Sequence, residues 1–272
     1  MLDIHIRDGN FFSEAYPERP NNFFNWVWDR DPVDSDITVF SDCYLKEVET
    51  SASKVKIAWL IEPPVINSFI YEYARSNYDL FDLIMTFDES LLDLGPKVKY
   101  YPYGTTWISA ENQKVWDKTK LISAVFSDKN FTDGHSIRHE IFSMFKDQVD
   151  FFGAINNNKI EHKVDGHKDY YFSLIVENWT GNSYFSEKLL DCLLTGTIPV
   201  YSGFPKFLEV FDPNGFIYFK ESSELHNILP FLNKEQYESR LEAVRYNFDK
   251  ALEFIDLEKS LWLSGFKDLS NK

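Results

Sequence analysis

Short apolar runs alternate along this chain with segments of helical spacing. The runs 2–6 (LDIHI), 37–41 (ITVFS), 56–61 (KIAWLI), 82–87 (DLIMTF), 98–103, 120–126 (KLISAVF), 150–153 (DFFG), 172–176 (FSLIV), 198–201 (IPVY) and 216–219 predict strands. Most are continuously apolar, the pattern of strands covered on both faces. Helices are predicted over 69–76, over 134–145 (GHSIRHEIFSMF), after Ser186 and through 241–263. Strand-then-helix alternation of this kind implies an α/β fold with parallel sheets. Residues 8–36 are rich in Pro, Asn and Asp and predict a loop with a short helix. That loop would lay Phe11, Phe12, Phe23, Phe24, Trp26 and Trp28 on the domain. A polar stretch from Tyr103 to Lys120 reads as the crossover between two halves divided near residue 115.

The densest polar chemistry lies within 170–203, YYFSLIVENWTGNSYFSEKLLDCLLTGTIPVYSG. The strand ends at Glu177-Asn178, and a loop with Gly181 leads to Ser186 as helix N-cap, with Leu189, Leu190, Leu193 and Leu194 at helical spacing. Gly196 marks the helix stop and Pro199 lies just beyond it. Ligands bind in open parallel sheets at such a place, the carboxyl end of a strand beside the next helix N-terminus. Lys188, a cation in the first turn, opposes the helix dipole and makes sense beside an external phosphate. Glu187 can accept from sugar or ribose hydroxyls, and Asn178 and Tyr184 add polar contacts. The same residues also fit a plain solvated first turn capped by Ser186.

Other candidates lie at strand ends. Glu62 closes KIAWLI and is fixed by Pro63-Pro64, and Asp88 closes DLIMTF. Arg138 follows a strand and a Ser/Asn-containing loop, where a guanidinium can pair bidentately with a diphosphate; the alternative is a surface pair with Glu140 or Asp147. His135 and His139 are four apart, but no H-E-x-x-H pattern or third ligand accompanies them, so no metal is expected there. The D-x-D elements of Asp29–Asp36 read as a solvated turn.

The pattern E-N-x5-Y-x2-E-K followed by L-x6-G-x-I-P-V-Y-x-G resembles the donor-binding motif of glycosyltransferase family 10, the α-1,3/4-fucosyltransferases. Glu177, Asn178, Tyr184, Glu187, Lys188, Gly196, Pro199 and Gly203 carry it. Trp179 stands where the family usually has Ser, and Ser186 where it has Thr. The FDLIMTFDESLL segment is similar to one in bacterial members. The resemblance implies an α/β, GT-B-like architecture of two Rossmann-like domains facing a central cleft, here 1–115 on the acceptor side and 116–272 on the donor side. It implies inverting, metal-independent transfer of L-fucose from GDP-fucose to an oligosaccharide hydroxyl, with no cofactor. Asn178, Tyr184, Glu187, Lys188 and Arg138 would contact the donor, with Glu177 in the same motif, and Glu62 would be the base; Asp88 is a second candidate carboxylate.

Composition trims the alternatives. A net charge of −15 disfavours nucleic-acid binding and anionic membranes, and it means that any phosphate needs a local positive site. The start, MLDIHIRDGN, has no basic and apolar leader, and no segment is apolar enough to span a membrane, which predicts a cytoplasmic protein. Two cysteines, Cys43 and Cys192, make no disulfide framework. A transferase using another GDP- or UDP-sugar, and a non-catalytic glycan-binding protein with 25 Phe and 15 Tyr to stack on sugars, remain as other readings. An oxidoreductase is disfavoured because no strand is followed by G-x-G-x-x-G.

Overall fold

A computed structural model describes residues 2–8, 24–28, 35–101, 106–181, 184–203 and 210–255, together with 265 and 269. The chain divides into two compact units, Met1–Tyr103 with Asp256–Lys272, and Gly104–Ile255. These bounds differ from the division near 115. The Thr106 hydroxyl and the Trp107 N–H donate to the buried Asp191 carboxylate at 2.6 and 2.8 Å, so the stretch ahead of residue 115 packs with the second unit.

The first unit carries strands β1 (Leu2–Arg7), β2 (Phe24–Trp28), β3 (Ile37–Ser41), β4 (Val55–Trp59), β5 (Leu83–Thr86) and β6 (Val98–Tyr100). They form one parallel sheet in the order β2-β1-β3-β4-β5-β6. Helix α1 (Pro64–Ser76) begins five residues before the expected Phe69, with Pro64 in its first turn, where a missing N–H costs nothing. Its Ile70, Tyr71 and Ala74 pack with Phe40, Ala58 and Ile84 on one face of the sheet. Helix α2 (Glu89–Leu92) is capped by Asp88, whose carboxylate accepts from the Ser90 N–H.

One expectation fails here. Residues 24–28 are a strand paired in register with β1, Leu2 opposite Phe24 and Ile6 opposite Trp28. Phe24, Trp26 and Trp28 alternate with Asn25 and Val27, a strand period masked by the turn-forming residues around it. Phe11, Phe12, Phe23 and most of the D-x-D segment lie outside the described residues; Asp36, at its end, pairs with Lys54 at 2.9 Å on an exposed surface.

The second unit carries β7 (Lys120–Val125), β8 (Asp150–Phe152), β9 (Tyr170–Val176), β10 (Ile198–Ser202) and β11 (Ile217–Tyr218), all parallel, in the order β11-β10-β9-β7-β8. Helices α3 (Asp133–Phe145), α4 (Glu187–Leu193), α5 (Leu225–Ile228), α6 (Lys234–Glu238) and α7 (Leu241–Phe254) cover both faces. Strand β9 shows why its run is continuously apolar. Phe172, Leu174 and Val176 join the core with Ile141, Phe145 and Tyr237, while Ile175 joins the opposite core with Leu189, Leu190 and Leu193 of α4. The strand order reverses between β7 and β9, which makes their carboxyl ends the crevice where a doubly wound sheet takes ligands. Among the described residues, no helix is long and apolar enough to cross a membrane.

Helix α4 ends in a Schellman motif. The Thr197 N–H donates to Cys192 O at 3.2 Å and the Gly196 N–H to Leu193 O at 3.0 Å, with Gly196 at φ +69°. A Cβ on Gly196 would lie 2.9 Å from the Val115 Cα. Gly196→Ala is therefore expected to destabilise the protein by about 2 kcal/mol or more in denaturant unfolding. A loss below about 0.5 kcal/mol, the ordinary scatter of a surface substitution, would contradict this account.

Asp191 supplies a pH prediction. Burial, with Glu187 adding to it, pushes its carboxyl up from 3.8 to about 7, against the bonds from Thr106 and Trp107. The folded state thus holds a proton that the unfolded state releases between those values, so this group favours folding less as pH rises through 7. The melting temperature of Asp191→Asn should gain on that of the wild type between pH 5 and pH 8. Parallel pH profiles for the two proteins would show that Asp191 does not titrate there.

Candidate active-site groups in each unit

In the second unit the site is built at the carboxyl end of β9. The Glu177 N–H continues the ladder to Ser202 O at 3.0 Å, but its side chain turns inward and is fully buried. Its carboxylate accepts from the Ser186 N–H at 3.0 Å and the Ser186 hydroxyl at 2.6 Å. Burial raises its pKa, and the nearby Lys188 charge opposes that. Glu177 thus ties the end of β9 to the start of α4, a positioning contact.

Ser186 is the N-cap of α4, as its place in the sequence predicts, and it accepts from the Lys188 N–H at 3.3 Å. The Lys188 ammonium lies 2.9 Å from Glu187 and 3.1 Å from the Ser186 hydroxyl. The misfit of a cation in the first turn is therefore answered in part by the neighbouring carboxylate. Burial pushes Glu187 up, but the attraction of Lys188, joined by Lys163, outweighs it, and the carboxyl titrates below its ordinary value. Both side chains of the pair keep partial exposure, so their polar ends remain accessible.

Arg138 reaches this corner from α3 and is buried. Its Nε donates to Val176 O at 3.1 Å, and Nη2 donates to the same carbonyl and to Asn178 Oδ1 at 2.7 Å. The alternative partner Glu140 instead accepts from Ser222. The first turn of α3 comes against the same backbone: a Cβ on Gly134 would fall 1.9 Å from Glu177 O. Tyr184 is buried, and the half-buried Trp179 packs edge-on against it with ring centroids 5.8 Å apart. Arg138, Glu177, Asn178, Glu187 and Lys188 thus gather at the crevice between β7 and β9, with Tyr184 in the loop between them.

The two histidines of α3 serve the loop before it. His135 Nδ1 is 2.9 Å from the Thr132 hydroxyl, and His139 Nε2 is 3.2 Å from the carbonyls of Asp128 and Lys129. Burial and the charges of Arg138 and Lys129 push His135 down to about 4. Among the described residues, no group of three His, Cys, Asp or Glu could hold a metal ion.

In the first unit, Glu62 follows β4 by way of Leu60 and Ile61 and is half-buried. Its backbone is held on both sides. Its N–H and that of Ile61 donate to the Asp42 carboxylate, the latter at 2.8 Å, while its C=O accepts from the Tyr71 hydroxyl at 2.7 Å. Asp42 follows β3 with φ +40°, and desolvation, with Glu62 and Asp8 adding to it, pushes its carboxyl up to about 7. Asp88 is buried and serves as the cap of α2 at 2.7 Å from the Ser90 N–H.

Sequence reasoning passed over Asp42, Asp191 and Lys163. Asp42 stands directly after an apolar strand, and Asp191 interrupts a run of buried residues on α4, so both left a signal. Lys163 left none, because only the fold brings its loop to the crevice.

The family model for the C-terminal part of glycosyltransferase family 10 (fucosyltransferase) matches residues 115–245, the stretch that holds all the groups of the second unit described above. The alpha-(1,3)-fucosyltransferase FucT of Helicobacter pylori is 30% identical over 87 residues, which cover 30% of this chain and 18% of that protein's length. Among solved structures, an alpha1,3-fucosyltransferase with GDP superposes with a TM-score of 0.58 at 18% identity, over 94% of this chain and 89% of the other. TarM of S. aureus superposes with a TM-score of 0.58 at 11% identity, over 85% of this chain and 55% of the other. At such identities the likeness is one of fold, the GT-B kind of α/β protein with two parallel sheets. The E-N…Y…E-K unit lies at the sheet's switch point, and residues 115–245, which include it, are similar to the C-terminal part of glycosyltransferase family 10.

Proposed function

We propose that this protein is an inverting, metal-independent glycosyltransferase that moves L-fucose from GDP-fucose to a hydroxyl of an acceptor glycan. The observation that carries this reading is the convergence of Arg138, Asn178, Glu187 and Lys188 on the β7–β9 crevice, inside the stretch matched to the fucosyltransferase family.

In this reading the bond between the anomeric carbon and the diphosphate oxygen breaks, and its electron pair leaves with GDP. The acceptor oxygen attacks the opposite face of the sugar and forms the new bond, while its proton passes to the Glu62 carboxylate. Charge grows on the leaving diphosphate, and side-chain cations fixed in advance lower the energy of that state. Lys188 has the partial exposure needed to reach a phosphate. Arg138 is buried and bonded to Val176 and Asn178, so its guanidinium acts as a fixed charge that also holds Asn178 towards the donor. Glu187 receives sugar or ribose hydroxyls. The backbone bonds of Glu62 to Asp42 and Tyr71 fix where its carboxylate starts, as a general base requires.

The test begins with melting temperatures in the presence of GDP, GDP-fucose, UDP and UDP-glucose, with and without EDTA. A ligand at a hundred times its dissociation constant stabilises the folded state by about 2.7 kcal/mol. Stabilisation by GDP and GDP-fucose, unchanged by EDTA, is the expected result. A preference for UDP would change the donor, and no shift at all would remove the donor site. Lys188→Ala should weaken GDP binding about 10- to 100-fold, the range for losing a charge-assisted hydrogen bond. Glu62→Gln should leave GDP binding unchanged and lower kcat about 100-fold or more. Turnover retained in Glu62→Gln would take the proton-accepting role away from Glu62.

A further inference from the structure

We infer that Lys163 is a third cation of the donor site and binds the diphosphate of the nucleotide. The inference rests on the donor-site reading above and adds to it a residue that lies outside the E-N…E-K motif. Lys163 opens a short 3-10 turn, Lys163–Gly166, on a segment that precedes β9. The turn is firmly mounted. The Ser123 hydroxyl donates to Gly166 O at 2.6 Å, Val164 is buried, and a Cβ on Gly166 would come 2.4 Å from a methyl of Val125. From this mount Lys163 lines a small open crevice with Phe126 beyond β7, Ile175 of β9, and Lys188 and Asp191 on α4. Its charge acts on both Glu187 and Asp191.

The state of the neighbouring cations makes Lys163 the informative one. Lys188 is paired with Glu187, and the Arg138 guanidinium bonds to Val176 O and Asn178. Lys163 is half-buried and makes no hydrogen bond or ion pair with the described residues. Among the described residues, the charges of Arg138, Lys163 and Lys188 act on the neighbouring carboxyl groups of Glu177, Glu187 and Asp191. A half-buried ammonium with no hydrogen bond or ion pair among the described residues faces the same crevice as Lys188. A phosphate would supply a partner.

Calorimetric titration of the whole protein with GDP and with GMP tests this directly. In Lys163→Ala the affinity for GDP should fall about tenfold or more, and the ratio of GDP to GMP affinity should fall with it. The dependence of GDP binding on salt should also become shallower, because one charge contact is gone. Lys163→Arg should recover part of the GDP affinity, which a purely structural role for the lysine stem would not produce. Melting temperatures of both variants check folding, and Lys163→Gln replaces the alanine variant if that one does not fold. Wild-type affinity for GDP in a folded Lys163→Ala or Lys163→Gln would overturn the inference and leave the donor site standing. A wild-type protein that binds neither nucleotide would overturn both.

Discussion

A carboxylate removed from water is tolerated only where donors meet its oxygens, and the second unit is arranged around one such group. Glu177 is fully buried, and both hydrogen bonds of Ser186 are given to it. Those two bonds tie the end of β9 to the residue that caps α4. Everything the crevice presents follows from that tie. Lys188 and Glu187 point from the first turn of α4, and Asn178 is left at the strand end where Arg138 can hold it. Removing the carboxylate would release that tie as well as a charge, so Glu177 acts on a ligand through the position of its neighbours.

Electrostatics set the second constraint. The chain is acidic overall, and each cation near the crevice has carboxylates within its field. Arg138 is held by a carbonyl and an amide oxygen, with no carboxylate bonded to it among the described residues, so its charge is oriented without being cancelled. Lys118 shows the same economy at the start of β7. Its ammonium donates to Lys168 O, Thr195 O and the Thr197 hydroxyl, and burial pulls its pKa down to about 7. Buried cations in this unit are satisfied by neutral oxygens, which leaves the carboxylates near the crevice to shape its field.

Much of this was legible in the chain itself. Runs such as ITVFS and FSLIV are apolar at every position because helices cover both faces of their sheets, and these strands fall where the pattern places them. The polar residues after FSLIV lie at the switch point because strand ends and helix starts meet there in this topology. Strand β2 was hidden because its short alternation is flanked by Pro, Asn and Asp, whose turn signals dominate any local window. The inward turn of Glu177 was hidden too, since nothing in E-N distinguishes a carboxylate that greets a ligand from one that holds a helix cap. Long-range pairs such as Arg138 with Asn178, or Asp191 with Thr106, depend on how separate crossings are stacked. Local spacing carries no record of that.

The contact at Gly134 bears on how such a site can change. Here the start of α3 meets the carbonyl of Glu177 backbone to backbone, with no side chain between them to shrink, grow or rotate. The crossing after β7 and the crossing after β9 are thereby fused into a single jaw, although they are distant in sequence. A lineage that needs a differently shaped donor pocket cannot obtain it by sliding one crossing past the other. Variation is confined to side chains hung on the fixed frame, such as the Trp179 ring that packs edge-on against Tyr184.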